Sequence, residues 1–121
     1  MNPVYITYKT AKVLKEFCPE LPRPMDSMYM REGVEWGVKG CPTVLRMGPE
    51  YLPYPHSVPA YQLHDLLSKP FCEAMANERN KHNGHGFPAT YKGIAKVIAF
   101  SFIEGQMPAV EKALLEMMEE R

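Results

Sequence analysis

Histidines are the first residues of this chain whose type and spacing could support chemistry. His82 and His85 are separated by two residues in a polar stretch that also contains glycine. Two neutral imidazoles at that spacing can share a metal ion, but a complete site needs three or four ligands. The neighbouring side chains offer only Asn77, Glu78 and Asn83. We therefore expect exposed, titrating histidines rather than a metal centre, and we predict no cofactor.

A second pair, His64 and Asp65, resembles the His-Asp pair of metal phosphohydrolases. Those enzymes assemble several histidines and aspartates over a much longer helical chain, whereas this sequence has only two aspartates, Asp26 and Asp65. Adjacent residues on a helix also do not face each other. We expect both residues of the pair to lie on the solvated side of a helix.

The three cysteines, Cys18, Cys41 and Cys72, are widely spaced and odd in number. A disulfide framework favours an even count, and a structural zinc site favours paired Cys-x2-Cys spacings. The pattern predicts reduced, mostly buried thiols and a cytoplasmic location. One alternative stays open: Cys41, between two predicted strands, could act as a nucleophile if His56 approached it.

The aromatic and proline-rich segment 51–56 is the candidate interaction surface. Alternating aromatic residues and prolines favour an extended, low-entropy backbone of the kind that partner proteins recognise. The residues that would carry recognition are Tyr51, Leu52, Tyr54 and His56. The alternative is a structural strap that packs its tyrosines against the sheet.

Charge and hydropathy narrow the class of protein. The chain has 14 Lys plus Arg and 14 Asp plus Glu, so its net charge is zero with histidine neutral. A strong basic field for nucleic acid is therefore not expected. No apolar run approaches the ~18 residues of a membrane helix, and the first residues do not predict a secretory signal. The length of 121 residues predicts a single globular domain, 1–121.

These candidates must be positioned by an α+β fold, in which a small antiparallel sheet packs against N-terminal, central and C-terminal helices. Apolar residues at helical spacing predict a first helix after an N-cap at Thr7, and Pro19 ends it. Three short β-prone runs, 27–31, 34–38 and 43–47, predict a meander.

The second half of the chain is predicted as a broken central helix and a final helix. Pro59 suits the first turn of the central helix, which Pro70 interrupts. Residues 79–86 are polar and predict an exposed loop. The run 89–103 is apolar on both faces, which favours a strand buried on two sides, with a buried helix as the alternative. A turn at 104–106 then precedes the last helix, 107–120.

Two stretches carry a resemblance to small uncharacterised proteins of phages and mobile elements from gut anaerobes. The first is the run from Ile6 to Phe17, with its threonine and Ala-Lys-x-Leu-Lys-Glu pattern; the second is the Ala/Glu/Leu-rich run 108–116. The resemblance implies a phage-like accessory protein and supplies no catalytic residue.

From the absence of a recognisable catalytic motif, we predict a non-enzymatic accessory or adaptor protein that acts through protein–protein contacts. The excess of basic residues in 69–96 and of acidic residues in 104–121 could help two copies form a homodimer, and the alternative is that the two groups are neighbouring faces of one monomer. The alternative is a small enzyme or metal-binding protein that uses Cys41 or the histidines.

Overall fold

A three-stranded antiparallel sheet and four helices form the part of the chain that the computed structural model describes, residues 4–32, 42–48, 57–82 and 88–119. The predicted α+β fold class is confirmed. The elements in chain order are α1 (Tyr8–Phe17), β1 (Met28–Glu32), β2 (Pro42–Arg46), β3 (Val58–Pro59), α2 (Leu63–Leu66), α3 (Lys69–His82) and α4 (Tyr91–Glu119).

Helix α1 begins and ends as its sequence predicts. Thr7 has extended backbone angles, and its hydroxyl accepts a hydrogen bond from the Thr10 N–H, which satisfies one free donor of the first turn. The same hydroxyl donates to Glu111 Oε1 at 2.7 Å, which ties the start of α1 to α4. The helix ends before Pro19 because the residue preceding proline is displaced from the helical region.

The sheet has the order β2-β1-β3. Two of the three predicted runs are strands: β1 pairs with β2 in an antiparallel register that places Met30 opposite Val44. The predicted strand 34–38 lies outside the described residues. The prediction that Pro59 lies in the first turn of a helix is wrong, because this residue belongs to β3, opposite Tyr29. Proline is tolerated there because β3 is an edge strand.

The central helix is broken, as predicted, into α2 and α3. Pro70 falls in the first turn of α3, where its missing N–H costs nothing. The predicted loop 79–86 is wrong over its first four residues, because α3 continues to His82. Basic residues in this last turn favour helix because they complement its dipole. The side chain of Asn80 also bonds both the N–H and the C=O of Ala89, which fixes the start of α4.

The favoured strand at 89–103 is wrong, because residues 91–103 belong to α4. Ile94 and Ile98, four residues apart, face the core, as one side of a helix requires. The predicted turn is present as a kink: Gly105 and Gln106 have non-helical backbone angles and divide α4 into two parts, 91–104 and 107–119. The second part is the predicted final helix, with Pro108 in its first turn.

The core lies between the sheet, α1, α3 and both parts of α4. Helix α3 packs along α4, and α1 contacts both β3 and α4. The largest fully buried side chains include Tyr61, Phe71, Leu14, Leu66, Met75, Ile98 and Leu114. Tyr61 and Phe71 form an edge-to-face pair with ring centroids 5.1 Å apart.

Candidate functional site

Asp65 is a buried carboxylate at the start of α2. Its side chain is 3% exposed, and each oxygen accepts a backbone hydrogen bond: Oδ1 from the Met25 N–H at 2.8 Å and Oδ2 from the Gln62 N–H at 2.9 Å. The second of these bonds completes a capping arrangement at the helix N-terminus, where negative charge is favoured. Asp65 therefore holds α2 against the turn that precedes β1.

Three more polar residues join Asp65 to form what we call the polar junction: Asp26, Gln62 and His64. Gln62 Nε2 donates to Asp26 Oδ2 at 2.9 Å, and His64 Nε2 lies 3.5 Å from the same oxygen. His64 Nε2 is also 3.7 Å from Asp65 Oδ1. The expectation that Asp65 faces solvent is wrong, whereas His64 is exposed as predicted. Residue spacing could not reveal this, because Met25 is forty positions away in the chain.

The polar junction is held together by hydrogen bonds among its own side chains and to nearby backbone groups. Across the described ranges, no buried side-chain nitrogen or oxygen lacks a hydrogen-bond partner. In the same ranges, no three His, Cys, Asp or Glu side chains come close enough to hold a metal ion. Each Asp65 oxygen accepts one backbone hydrogen bond, so the carboxylate is held in place at the start of α2.

Cys18 and Cys72 are buried free thiols, as predicted. Burial raises the pKa of the Cys72 thiol to about 11, and burial is also the largest cause of the raised pKa of Cys18. The Cys72 thiol also donates a hydrogen bond to the Leu66 carbonyl at 3.2 Å. Because the thiolate is the nucleophile, both thiols are suited to packing rather than to catalysis.

His82 is exposed but already engaged by its own helix. Its Nε2 lies 3.3 Å from Glu78 Oε1, one turn away on α3, and its ring is 5.9 Å from that of Phe17. Its predicted neighbour His85 lies outside the described residues, as do Cys41 and the whole candidate surface of Tyr51, Leu52, Tyr54 and His56. The predicted interaction surface therefore stays a prediction.

A different apolar surface is present on the first part of α4. Val97, Phe100 and Ile103 are spaced three residues apart and point away from the core, and we call them the α4 stripe. Their exposed fractions are 43%, 63% and 74%. Phe100 and Ile103 are the two most exposed large apolar side chains among the described residues. An adjoining row of exposed apolar side chains on one helix face is typical of a protein contact surface.

Charged residues bound the α4 stripe at both ends. Lys96 lies one turn before Phe100, and Glu104 lies one turn after it; both are exposed. Neither forms an ion pair with any residue in the described segments. The kink at Gly105 and Gln106 ends the stripe by turning the chain out of the helix path. A partner helix would therefore meet an apolar centre about two turns long with one positive and one negative end.

Sequence reasoning did not single out this stripe, although the signal was present. The i, i+3, i+6 spacing of the three residues marks one helix face, and Ile94 and Ile98 mark another. In a strand, the same three residues would alternate between two faces. The strand prediction therefore gave no indication of a continuous exposed row.

Comparison with known protein families, curated proteins and solved structures finds no match for this chain. None of the helices in the described segments has the length and apolar character needed to cross a membrane.

Proposed function

We propose that this chain is a non-enzymatic accessory or adaptor protein that acts through protein–protein contacts, with the α4 stripe as the contact surface. The observation that carries the proposal is the exposure of Phe100 and Ile103 next to each other on a well-packed helix. Leaving large apolar side chains in water is unfavourable, and their burial against a partner would recover about 25 cal/mol for each Å² covered.

The rest of the described chain supports a contact role over a catalytic one. Its two thiols have raised pKa values, its buried carboxylate is bonded to backbone N–H groups, and His82 is paired with Glu78. The two reduced thiols also support the proposed cytoplasmic location. The resemblance of the terminal helices to phage-like accessory proteins fits the same role.

The proposal is tested by site-specific photo-crosslinking in the cells that produce the protein. A benzophenone amino acid replaces Phe100 in one variant and the exposed Glu116, on the other part of α4, in the control. We expect a protein adduct from position 100 and none from position 116. Binding of the purified, identified partner should then weaken at least tenfold with Phe100→Asp. Equal adducts from both positions, or none from position 100, would contradict the proposal.

A further inference from the structure

We propose that the partner of the α4 stripe is a second copy of this chain, packed antiparallel on a two-fold axis that passes beside Phe100. This inference rests on the proposed function, because it names the occupant of the same surface. Two features of the helix support it: the order of residues 96–104 along the exposed face and the charges at the ends of that face.

The exposed face of this helix is nearly self-complementary about Phe100. Residues at equal distances on either side of Phe100 are complementary: Val97 and Ile103 are both apolar, and Lys96 and Glu104 carry opposite charges. In a two-fold contact, residue i of one copy meets residue j of the other, and j meets i. An antiparallel pair therefore places Val97 at the same level as Ile103 of the other copy, on either side of the two Phe100 rings that meet at the axis.

Charge complementarity selects the antiparallel arrangement. In that arrangement Lys96 of each copy lies at the same level as Glu104 of the other, which makes two opposite-charge pairs at the rim. A parallel arrangement would instead bring the two Lys96 side chains together, and likewise the two Glu104 side chains. Since Lys96 and Glu104 are exposed and form no ion pair among the described residues, both are available for such contacts.

The residues beside Phe100 allow two helices to approach. Ala99 and Ser101 are small and half-buried on either flank of Phe100. Packed helices have axes about 8–10 Å apart, and the two Phe100 rings at the axis favour the longer end of that range. A standard interface buries about 800 Å² per partner, and the stripe offers only three apolar side chains, so we expect a reversible dimer that dissociates on dilution.

Charge reversal provides the decisive test. Lys96→Glu alone places two carboxylates opposite each other across the axis, and Glu104→Lys alone places two ammonium groups together. Each single variant should raise the dimer dissociation constant about tenfold at low ionic strength, and the double variant should return it to within about threefold of the original. Lys96 and Glu104 are eight positions apart on the helix, so neither change breaks a contact between them within one copy.

The measurement is sedimentation equilibrium of the full chain over a concentration series, with circular dichroism to verify folding. Lys9→Glu and Glu16→Lys, on the exposed side of α1, match the two charge changes and should leave the dissociation constant unchanged. Phe100→Asp should give a monomer. A monomer at every concentration, or single and double variants with the same dissociation constant, would overturn the two-copy proposal.

Crosslinking separates this inference from the proposed function. An adduct of position 100 with a second copy of the chain supports both. An adduct with a different protein, together with a monomer in sedimentation, overturns the two-copy proposal and leaves the proposed function standing. Absence of any adduct overturns both.

Discussion

The polar junction and the α4 stripe place polar and apolar groups in opposite surroundings. At the junction, the carboxylate of Asp65 is removed from water, and both of its oxygens accept backbone hydrogen bonds. On the stripe, Phe100 and Ile103 remain in water with no covering side chains sufficient to bury them. Burial of a charge is costly unless it is bonded, and exposure of apolar surface is costly unless a partner covers it.

This difference separates what stabilises the fold from what is available for function. Both oxygens of Asp65 accept hydrogen bonds from N–H groups of the same copy, so the junction contributes to the free energy of unfolding. The stripe is only partly buried in one copy, so most of the apolar surface of Phe100 and Ile103 remains available for association. Four predictions test this comparison, beginning with the largest expected effect.

Two isoleucines on the same helix give the sharpest contrast. Ile98 is fully buried and Ile103 is 74% exposed. Ile98→Ala should lower the free energy of unfolding by about 3–4 kcal/mol, because it removes buried methyl groups and leaves a cavity. Ile103→Ala should change it by less than about 0.5 kcal/mol. Urea denaturation, at a concentration where the chain is monomeric, measures both. Similar losses in the two variants would mean that the stripe is part of the core.

At the junction, Asp65→Ala should lower the free energy of unfolding by about 3 kcal/mol. The change leaves the N–H groups of Met25 and Gln62 without their charged acceptor and removes the cap of α2. Asp26→Ala is the matched control, since Asp26 is half-exposed and its contacts with the side chains of Gln62 and His64 lie at the surface. This control change should lower the free energy of unfolding by less than about 0.5 kcal/mol. Equal effects of the two changes would contradict the structural role of Asp65.

The kink that ends the stripe carries measurable backbone strain. Gln106 has φ 61° and ψ −156°, a region that is essentially reserved for glycine. Gln106→Gly should raise the free energy of unfolding by about 1 kcal/mol. The substitution relieves the backbone strain, and the greater entropy of glycine in the unfolded chain offsets part of that gain. Gln106→Ala, which keeps the strain, should give no gain. Thermal and urea unfolding would check both, and a loss with glycine would contradict the strain.

The smallest expected change in the free energy of unfolding at neutral pH is that of Cys72. This residue lies beside the junction, and its thiol donates a hydrogen bond to the Leu66 carbonyl. Its pKa is about 11 in the folded chain against an ordinary value of 9.0. The unfolded chain ionises first, so the free energy of unfolding should fall as pH rises from about 9 to 11 and be unaffected by this thiol below that window. The fall should be smaller in Cys72→Ala. Parallel pH profiles for the two proteins would contradict the buried, protonated thiol.

Local sequence signals predicted several parts of the fold correctly. Thr7 and Pro19 bound α1, Pro70 marks the break between α2 and α3, and residues 104–106 mark the kink in α4. Each of these boundaries is a short-range effect of a helix-capping side chain, a proline ring or a turn residue. The candidate surface at 51–56 and the candidate nucleophile Cys41 stay predictions, since both lie outside the described residues.

The sequence by itself determined the α+β class, the caps and breaks of the helices, and the burial of Cys18 and Cys72, because these depend on side-chain type and near neighbours. Tertiary structure decided the rest. Asp65 is buried because the N–H of Met25, far away in sequence, meets it. Residues 91–103 form a helix with two apolar faces, of which only one packs against the core, and this leaves Phe100 and Ile103 exposed. Which of two apolar faces is buried depends on the neighbouring elements, and spacing along the chain does not encode that choice.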